Sequence, residues 1–273
     1  MIGILPGAGP KADEYVVIGA HHDHLGTTAS GEGSSRASAD DGAVIHNGAD
    51  DNASGVAGVL ELAKAFASGP RPARSIAFMT FTGEESGLIG SHHFVAHPVF
   101  PLEKTRMMVN LDMIGRIPEN KEQVQVFGTK SAEEIEPVLT QMAERVGLSV
   151  KTAGGALGGS DQTSFYTKGV PVLHVFSGLH DEYHTSDDDA ALINEQGAVR
   201  ILELVHALAS EFASLQTQLT YSRKAAEGLQ RGPRGFKVVM GIMPSYTDSD
   251  EPGMEVVAVT RGRPAEAAGL LGG

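Results

Sequence analysis

Residues 75–85 read SIAFMTFTGEE, and this stretch decides the fold assignment. The apolar run that ends at Phe81 has the length and composition of a buried strand. A glycine-containing turn and two adjacent glutamates follow it at once. Neighbouring carboxylates repel each other, so the simplest interpretation of such a pair is an exposed helix. Open α/β sheets, however, bind their ligands just beyond the ends of their strands, which makes Glu84 and Glu85 candidate site residues.

Four further groups of histidine and acidic residues follow predicted strands or lie in predicted loops. They are His21-His22-Asp23, Asp50-Asp51, Asp112 and His184. Imidazole and carboxylate groups bind divalent metals in many hydrolytic sites, and the chain has no cysteine that could supply a thiolate. The recurrence of these groups at strand ends predicts a hydrolytic metal site.

The composition limits the classes of protein to which the chain could belong. Its 273 residues suit one large domain, or one domain and a fragment. The net charge of −13 argues against a nucleic-acid-binding surface, and the absence of cysteine excludes disulfides and cysteine nucleophiles. No apolar run has the length of a membrane span, and the first residues lack the basic and apolar regions of a signal peptide.

Predicted strands and helices alternate up to about residue 215. The strands are 15–20, 74–81, 105–111, 123–128 and 170–176, and the helices are 54–68, 86–96, 131–146, 161–168 and 193–215. Ser54 is a predicted N-cap, Ser131 and Glu134 are a predicted capping box, and 27–43 is a predicted surface loop. This alternation predicts an α/β fold with a mostly parallel, mixed sheet sandwiched between helices.

The character of the sequence changes near residue 220. We predict a catalytic α/β domain over 1–219, a linker over 220–235 and a β-rich tail over 236–273. In the tail, FKVVMGIM and MEVVAVT predict two short strands, and a short helix begins at Pro264.

The spacing within the motifs gives neighbouring side chains different directions. His21 and Asp23 lie two residues apart at a strand end, so they point the same way and one can orient the other, whereas His22 points away. Glu84 and Glu85 alternate in the same manner. One of them can therefore bind a metal while the other accepts a proton from the attacking water.

The remaining candidates each have a competing interpretation. Asp51 lies in a turn of small residues, where a carboxylate can be approached from two sides and can bridge two metals. Capping of the following helix is the alternative for Asp50, Asp51 and Asn52. Asp112 ends an apolar strand, where an acid without a partner would be costly. Tyr183 can donate a hydrogen bond to a developing oxyanion, or it can simply pack in its loop.

Five segments, in this order along the chain, resemble the motifs of family M28 zinc metallopeptidases, the group of dinuclear aminopeptidases. They are GAHHDHLG (19–26), NGADDNASG (47–55), FTGEESGLIGS (81–91), VNLDMIGR (109–116) and DEYHTSDD (181–188). The resemblance covers roughly residues 3–215, and it implies a hydrolase that removes N-terminal residues from peptides. It also implies two bound Zn²⁺ ions, with Co²⁺ or Mn²⁺ as substitutes.

The resemblance further implies a role for each motif residue. The implied metal ligands are His21, Asp51, Glu85, Asp112 and His184. Asp51 would bridge the two ions. The implied catalytic residues are Glu84 as the general base, Asp23 as the residue that orients the first histidine, and Tyr183 as an oxyanion donor.

The tail, from residue 241 to the end, resembles the first half of a PDZ domain. It stops before the later strands of such a domain, so we expect it to be truncated and incomplete for peptide binding. The family resemblance and the absence of cysteine lead us to expect an exported protein, periplasmic or extracellular, whose signal peptide is not part of this chain.

Several alternatives remain open from the sequence. A carboxypeptidase, or a glutaminyl-cyclase-like acyl transferase with one zinc, could use the same scaffold. A non-catalytic binding ectodomain would be expected to lack ligands or the Glu84 carboxylate, and the chain has them all. A peptide-binding module would depend on the truncated tail.

Overall fold

The structure of the chain is a computed structural model, and it describes residues 1–29, 34–37, 42–118, 123–214, 219–226, 240, 242–244, 256–259 and 264–271. Its strands are β1 Ile2–Leu5, β2 Tyr15–His21, β3 Thr27–Ala29, β4 Ala43–Ile45, β5 Ser75–Phe81, β6 Thr105–Leu111, β7 Gln123–Phe127, β8 Ser149–Ala153, β9 Val172–Phe176, β10 Ile242–Pro244 and β11 Val256–Val259. Its α-helices are α1 Gly55–Ser68, α2 Ile89–Ala96, α3 Ile135–Val146, α4 Gln162–Tyr166, α5 Glu195–Ser214 and α6 Pro264–Ala267.

Seven of these strands form one mixed sheet in the order β1-β5-β2-β6-β9-β7-β8. The pairs β2–β5, β2–β6, β6–β9 and β7–β8 are parallel, whereas β1–β5 and β7–β9 are antiparallel. The prediction of a mostly parallel, mixed sheet is therefore confirmed.

Helices cover both faces of the sheet, as predicted. Val16 and Ile18 of β2 pack with α1, α3 and α5 in one core, whereas Val17 between them packs with α2 and α4 in the other. Successive side chains of a strand point to opposite faces, so a strand that is buried on both faces is apolar at every position. The sequence of β2 has this property, which places it in the middle of the sheet.

The parallel strands deliver the candidate residues to one edge of the sheet. His21 is the last residue of β2, Asp112 directly follows β6, and Glu84 and Glu85 follow β5 after a short turn. These three strands are neighbours and run in the same direction. Their carboxyl ends therefore meet, which is where open α/β sheets bind ligands.

The predicted capping box at the start of α3 is wrong. Ser131 Oγ donates to the Val172 carbonyl at 2.8 Å and accepts from the Val172 N–H at 2.9 Å, so this side chain fixes the edge of β9. The Glu134 carboxylate accepts two hydrogen bonds from Thr220. Both side chains are thus used in tertiary contacts, and α3 begins only at Ile135.

The segment 219–226 packs on the α/β domain, although most of it falls in the predicted linker. Leu219 and Ala225 are buried in the two cores, and the Tyr166 hydroxyl donates to the Ser222 carbonyl at 3.0 Å. Residues 227–239 lie outside the described part of the chain. The strands β10 and β11 pair antiparallel, and the PDZ-like tail stays a prediction.

Among the helices that the structure describes, none has both the length and the apolar character of a membrane span.

Replacing Ile18 by alanine is expected to lower the free energy of unfolding by about 2–5 kcal/mol, because the side chain is fully buried and a cavity would remain. Urea unfolding measures the change. Leu60→Ala on the exposed face of α1 is the control, since this side chain is 60% exposed, and its effect is expected to stay within about 0.5 kcal/mol. Equal losses in the two variants would contradict the assignment of β2 to the core.

Candidate metal centre

The Asp51 carboxylate lies between two buried histidines. Its Oδ1 atom is 3.4 Å from His21 Nε2, and its Oδ2 atom is 3.1 Å from His184 Nε2. Each histidine faces a second carboxylate at 3.4 Å, which is Asp112 for His21 and Glu85 for His184. All five side chains that the sequence analysis named as ligands therefore meet, in two clusters that share Asp51.

Backbone hydrogen bonds hold the loop that carries Asp51. The fully buried Asp188 carboxylate accepts from the Asp51 N–H at 3.0 Å and from the Asp50 N–H at 3.0 Å. Asn52 Oδ1 accepts from the N–H groups of Gly55 and Met113, both at 3.1 Å. Asn52 thereby caps α1 and joins this loop to the turn that follows β6.

Asp50 has a structural role in this arrangement. Its Oδ1 atom accepts from the Gly115 N–H at 2.6 Å and from Ser54 Oγ at 2.8 Å. The prediction that Ser54 caps α1 is wrong, because its hydroxyl is bonded to Asp50 and to the Ile114 N–H instead. Of the two adjacent aspartates, only Asp51 faces both histidines.

Asp23 connects the first motif to the glutamate pair. Its carboxylate accepts from the N–H groups of Glu84 at 3.1 Å and Glu85 at 3.3 Å. His21 Nδ1 lies 3.0 Å from the Asp23 carbonyl oxygen and 3.9 Å from its carboxylate. The Asp23 carbonyl therefore accepts the hydrogen bond from Nδ1–H, which leaves Nε2 of His21 directed at the cluster.

His24 is a site residue to which the sequence analysis gave no role. Its Nδ1–H donates to Glu85 Oε1 at 2.9 Å, and its Nε2 atom is buried without a hydrogen bond to any described residue. His24, Asp51 and Glu85 together form a group with ligand-type spacing. The only signal in the sequence was its place in the first motif, beside residues with clearer assignments.

His184 is oriented by a segment that the sequence analysis placed in a surface loop. Its Nδ1–H donates to the Ser34 carbonyl at 3.1 Å, and its own carbonyl accepts from the Arg36 N–H at 2.8 Å. Ser35 and Ala37 are buried, so residues 34–37 pack beside His184. Residues 30–33 and 38–41 of the same predicted loop lie outside the described part.

Tyr183 also contributes to the surroundings of His184. Its ring stacks on the His184 ring at a centroid distance of 3.7 Å. The two residues line a cavity of about 440 Å³ that also contains Asp51, Glu84 and Glu85. Tyr183 thus lies beside the space in which a substrate would bind, and its function as an oxyanion donor stays a prediction.

The carboxylates control the protonation of the histidines. Burial by itself lowers the pKa of His184, but Asp51 and Glu85 outweigh it and raise the pKa to about 10. Burial also lowers the pKa of His21, but the carboxylates of Asp112, which has the largest effect, and Asp51 raise it well above its ordinary value. Without a metal, therefore, protons on the two imidazoles compensate the buried negative charge.

Glu84 differs from its neighbour in its environment. Burial, followed by the charge of Asp112, raises the pKa of Glu84 to about 9. Asp161, which is fully buried nearby and was not singled out in the sequence, adds to this effect, and burial raises its own pKa to about 7. A carboxyl group with a raised pKa can accept and release a proton near neutral pH.

The donor set fits a divalent metal. Imidazole nitrogen and carboxylate oxygen are the protein ligands of catalytic zinc sites that lack cysteine. His184 Nε2 is buried and makes no hydrogen bond to a described residue, although two carboxylate oxygens lie within 3.4 Å. A divalent cation shared with these carboxylates would satisfy this nitrogen atom.

Zinc binding is expected to release protons and to tighten as the pH rises from mildly acidic to neutral. His184 must lose its proton to bind, and its metal-free pKa of about 10 lies above neutrality. Calorimetric titration in two buffers of different ionisation enthalpy measures the number of protons released. Identical heats in the two buffers would contradict the protonated state of the metal-free site.

Replacing His24 by alanine is expected to weaken zinc binding about 10–100-fold, because Glu85 loses the hydrogen bond that orients it. His24→Gln retains a donor and is expected to lose less affinity. The control is His22→Ala, since His22 is adjacent and exposed. Zinc titration measures the affinity of the three variants for zinc. Equal affinities of His24→Ala and His22→Ala would exclude an orienting role for His24.

Comparison with known proteins identifies the family to which the chain is related. The model of peptidase family M28 matches residues 1–209. The aminopeptidase YwaD of Bacillus subtilis is 30% identical over 221 residues, which are 77% of this chain and 44% of that protein. The chain thus spans less than half of the length of this relative.

Solved structures share the fold. The crystal structure of BSAP, a zinc aminopeptidase from Bacillus subtilis, is 26% identical and superposes with a TM-score of 0.65 over 80% of this chain and 50% of that chain. A glutaminyl cyclase of Porphyromonas gingivalis is 21% identical, with a TM-score of 0.61 over 77% of this chain and 76% of that chain, and shows the same fold only. Because the family model matches 209 of its 273 residues, the chain belongs to peptidase family M28.

Proposed function

We propose that the chain carries the active site of a zinc-dependent aminopeptidase that binds two Zn²⁺ ions. The observation that carries this proposal is the position of Asp51, whose two carboxylate oxygens each face a different histidine. A carboxylate in this position can bridge two cations. Similar proteins named aminopeptidase and zinc aminopeptidase support the choice of metal and reaction.

Glu84 is the proposed general base. It is nearly buried, it lines the cavity beside the clusters, and its carboxylate makes no hydrogen bond to a described residue. Bound zinc ions would polarise the scissile carbonyl, acidify the attacking water and lower the pKa of nearby carboxyl groups. Glu84 then accepts the proton of the water and passes it to the leaving amine.

Two further residues support the reaction. The Asp23 carboxylate fixes the backbone of Glu84 and Glu85, so the base and the ligand keep their relative positions. Tyr183 lines the cavity next to His184, where its hydroxyl would donate to the oxyanion. The carboxylates that line the cavity attract the positively charged amino group of a substrate, and this attraction favours cleavage at the N-terminus.

A second candidate is an acyl transferase like a glutaminyl cyclase, with one zinc. The shared fold of the Porphyromonas gingivalis enzyme is the observation that keeps this candidate open. The number of zinc ions bound per chain separates the two. Export to the periplasm or the outside of the cell stays a prediction from the sequence.

Glu84→Gln is expected to lower the hydrolysis of aminoacyl-p-nitroanilides about 10²–10⁴-fold, because the amide cannot accept the proton. The zinc content is expected to stay at two ions per chain. Glu61→Gln on the exposed side of α1 is the control, with unchanged activity. The measurement includes N-acetylated substrates and a chelated sample. Equal turnover of free and acetylated substrates, or full activity after chelation, would contradict the proposed function.

A further inference from the structure

The cavity beside the clusters has two chemically different ends. One end contains the five candidate ligands and Glu84. The wall then continues over Phe176 and His174 of β9 and Phe127 of β7, whose rings pack together. The other end is lined by Lys130 and Lys224.

The strand register gives the offset between the two ends along β9. The Asp112 N–H donates to the carbonyl of Val175, near the end of β9. Ser131, next to Lys130, is bonded to Val172, the first residue of the same strand. Three residues of a strand span about 10 Å. The backbone of Lys130 thus lies about that far along the sheet from the clusters.

Lys130 is a cation without an acidic partner in the described part of the chain. Its Nζ atom makes no ion pair and no hydrogen bond with a described residue. Its stem lies over Gly154, where a Cβ atom would come within 2.5 Å of the Lys130 Cδ atom. The neighbouring Lys224, in contrast, is paired with Glu133 at 3.3 Å. The glycine therefore makes room for the Lys130 side chain against the cavity wall.

The charges of the cavity match those of a short peptide. All acidic residues of its lining belong to the metal end, and the two lysines lie at the other. The chain as a whole has a net charge of −13, so the charge at this end of the cavity is opposite to that of the whole chain. A peptide with a free amino group and a free carboxylate has the complementary polarity.

We propose that Lys130 binds a carboxylate of the peptide substrate, so that the site selects short peptides whose two charged ends occupy the two ends of the cavity. This inference rests on the proposed aminopeptidase function. An extended residue spans about 3.3–3.6 Å, so an offset of about 10 Å along the sheet corresponds to about three extended residues. A C-terminal carboxylate fits this length, and the other source of the same group is an acidic side chain.

The test compares three substrates: Leu-Gly-Gly, its C-terminal amide, and the amide of Leu-Gly-Glu. For Lys130→Met, the KM for Leu-Gly-Gly is expected to rise about tenfold with little change in kcat, because a hydrogen bond to a charged group is lost. The KM for Leu-Gly-Gly amide is expected to stay the same. Lys130→Arg retains the charge and is expected to retain the low KM.

Lys168→Met is the matched control, because Lys168 is exposed and does not line the cavity. A rise in KM that is confined to the Leu-Gly-Glu amide would support carboxylate binding and assign it to an acidic side chain. Two results together would overturn the proposal. The ratio of the KM for Leu-Gly-Gly to that for its amide would be the same in Lys130→Met as in the unsubstituted protein, and the KM for the Leu-Gly-Glu amide would also be unchanged.

Binding measurements separate this proposal from the proposed function. Calorimetric titration of the zinc-loaded Glu84→Gln protein with the three peptides needs no turnover. Tighter binding of a carboxylate-bearing peptide than of Leu-Gly-Gly amide, lost in the double variant with Lys130→Met, would support the Lys130 site even if no substrate were hydrolysed. Equal binding of all three peptides would refute it, whatever the activity of the enzyme.

Discussion

The Asp51 carboxylate between the imidazoles of His21 and His184 is the interaction on which the rest of the site depends. It lies in a buried cluster with two further carboxylates, and burial disfavours each charge unless an opposite charge compensates it. The raised pKa values of the two histidines show that protons can provide this compensation. Divalent cations can replace these protons, so folding, protonation and metal binding are linked at one point.

The fold makes such a cluster tolerable by fixing its members through the backbone. Parallel strands bring residues from distant parts of the sequence to one edge of the sheet. Side-chain acceptors then hold the connecting loops in place: Asp188 holds the loop of Asp51, Asp23 holds the glutamate pair, and Asn52 joins α1 to the turn after β6. The candidate ligands are therefore positioned by hydrogen bonds that do not depend on a bound metal.

The cavity beside the clusters carries opposite charges at its two ends. Its acidic end is formed by the candidate ligands, several of which follow the ends of central strands. Its basic end is formed by Lys130, which follows β7, a strand that runs antiparallel to its neighbour β9. Because β7 is reversed, the chain after Phe127 continues toward the start of β9, where Ser131 is bonded to Val172, away from the clusters. The mixed character of the sheet thus places opposite charges at the two ends of one pocket.

The α/β class and the order of most strands and helices could be predicted from the sequence, because they depend on local patterns, namely apolar runs of strand length and polar groups at their ends. The four residues that meet around Asp51 were identified from the resemblance of five motifs to family M28. The contacts of His24, of residues 34–37 and of Lys130 became apparent only in the folded structure, which also shows that Ser131 and Ser54 are not helix caps. Each of these depends on contacts between segments far apart in the chain, and a hydroxyl or an imidazole has several partners open to it until the fold selects one.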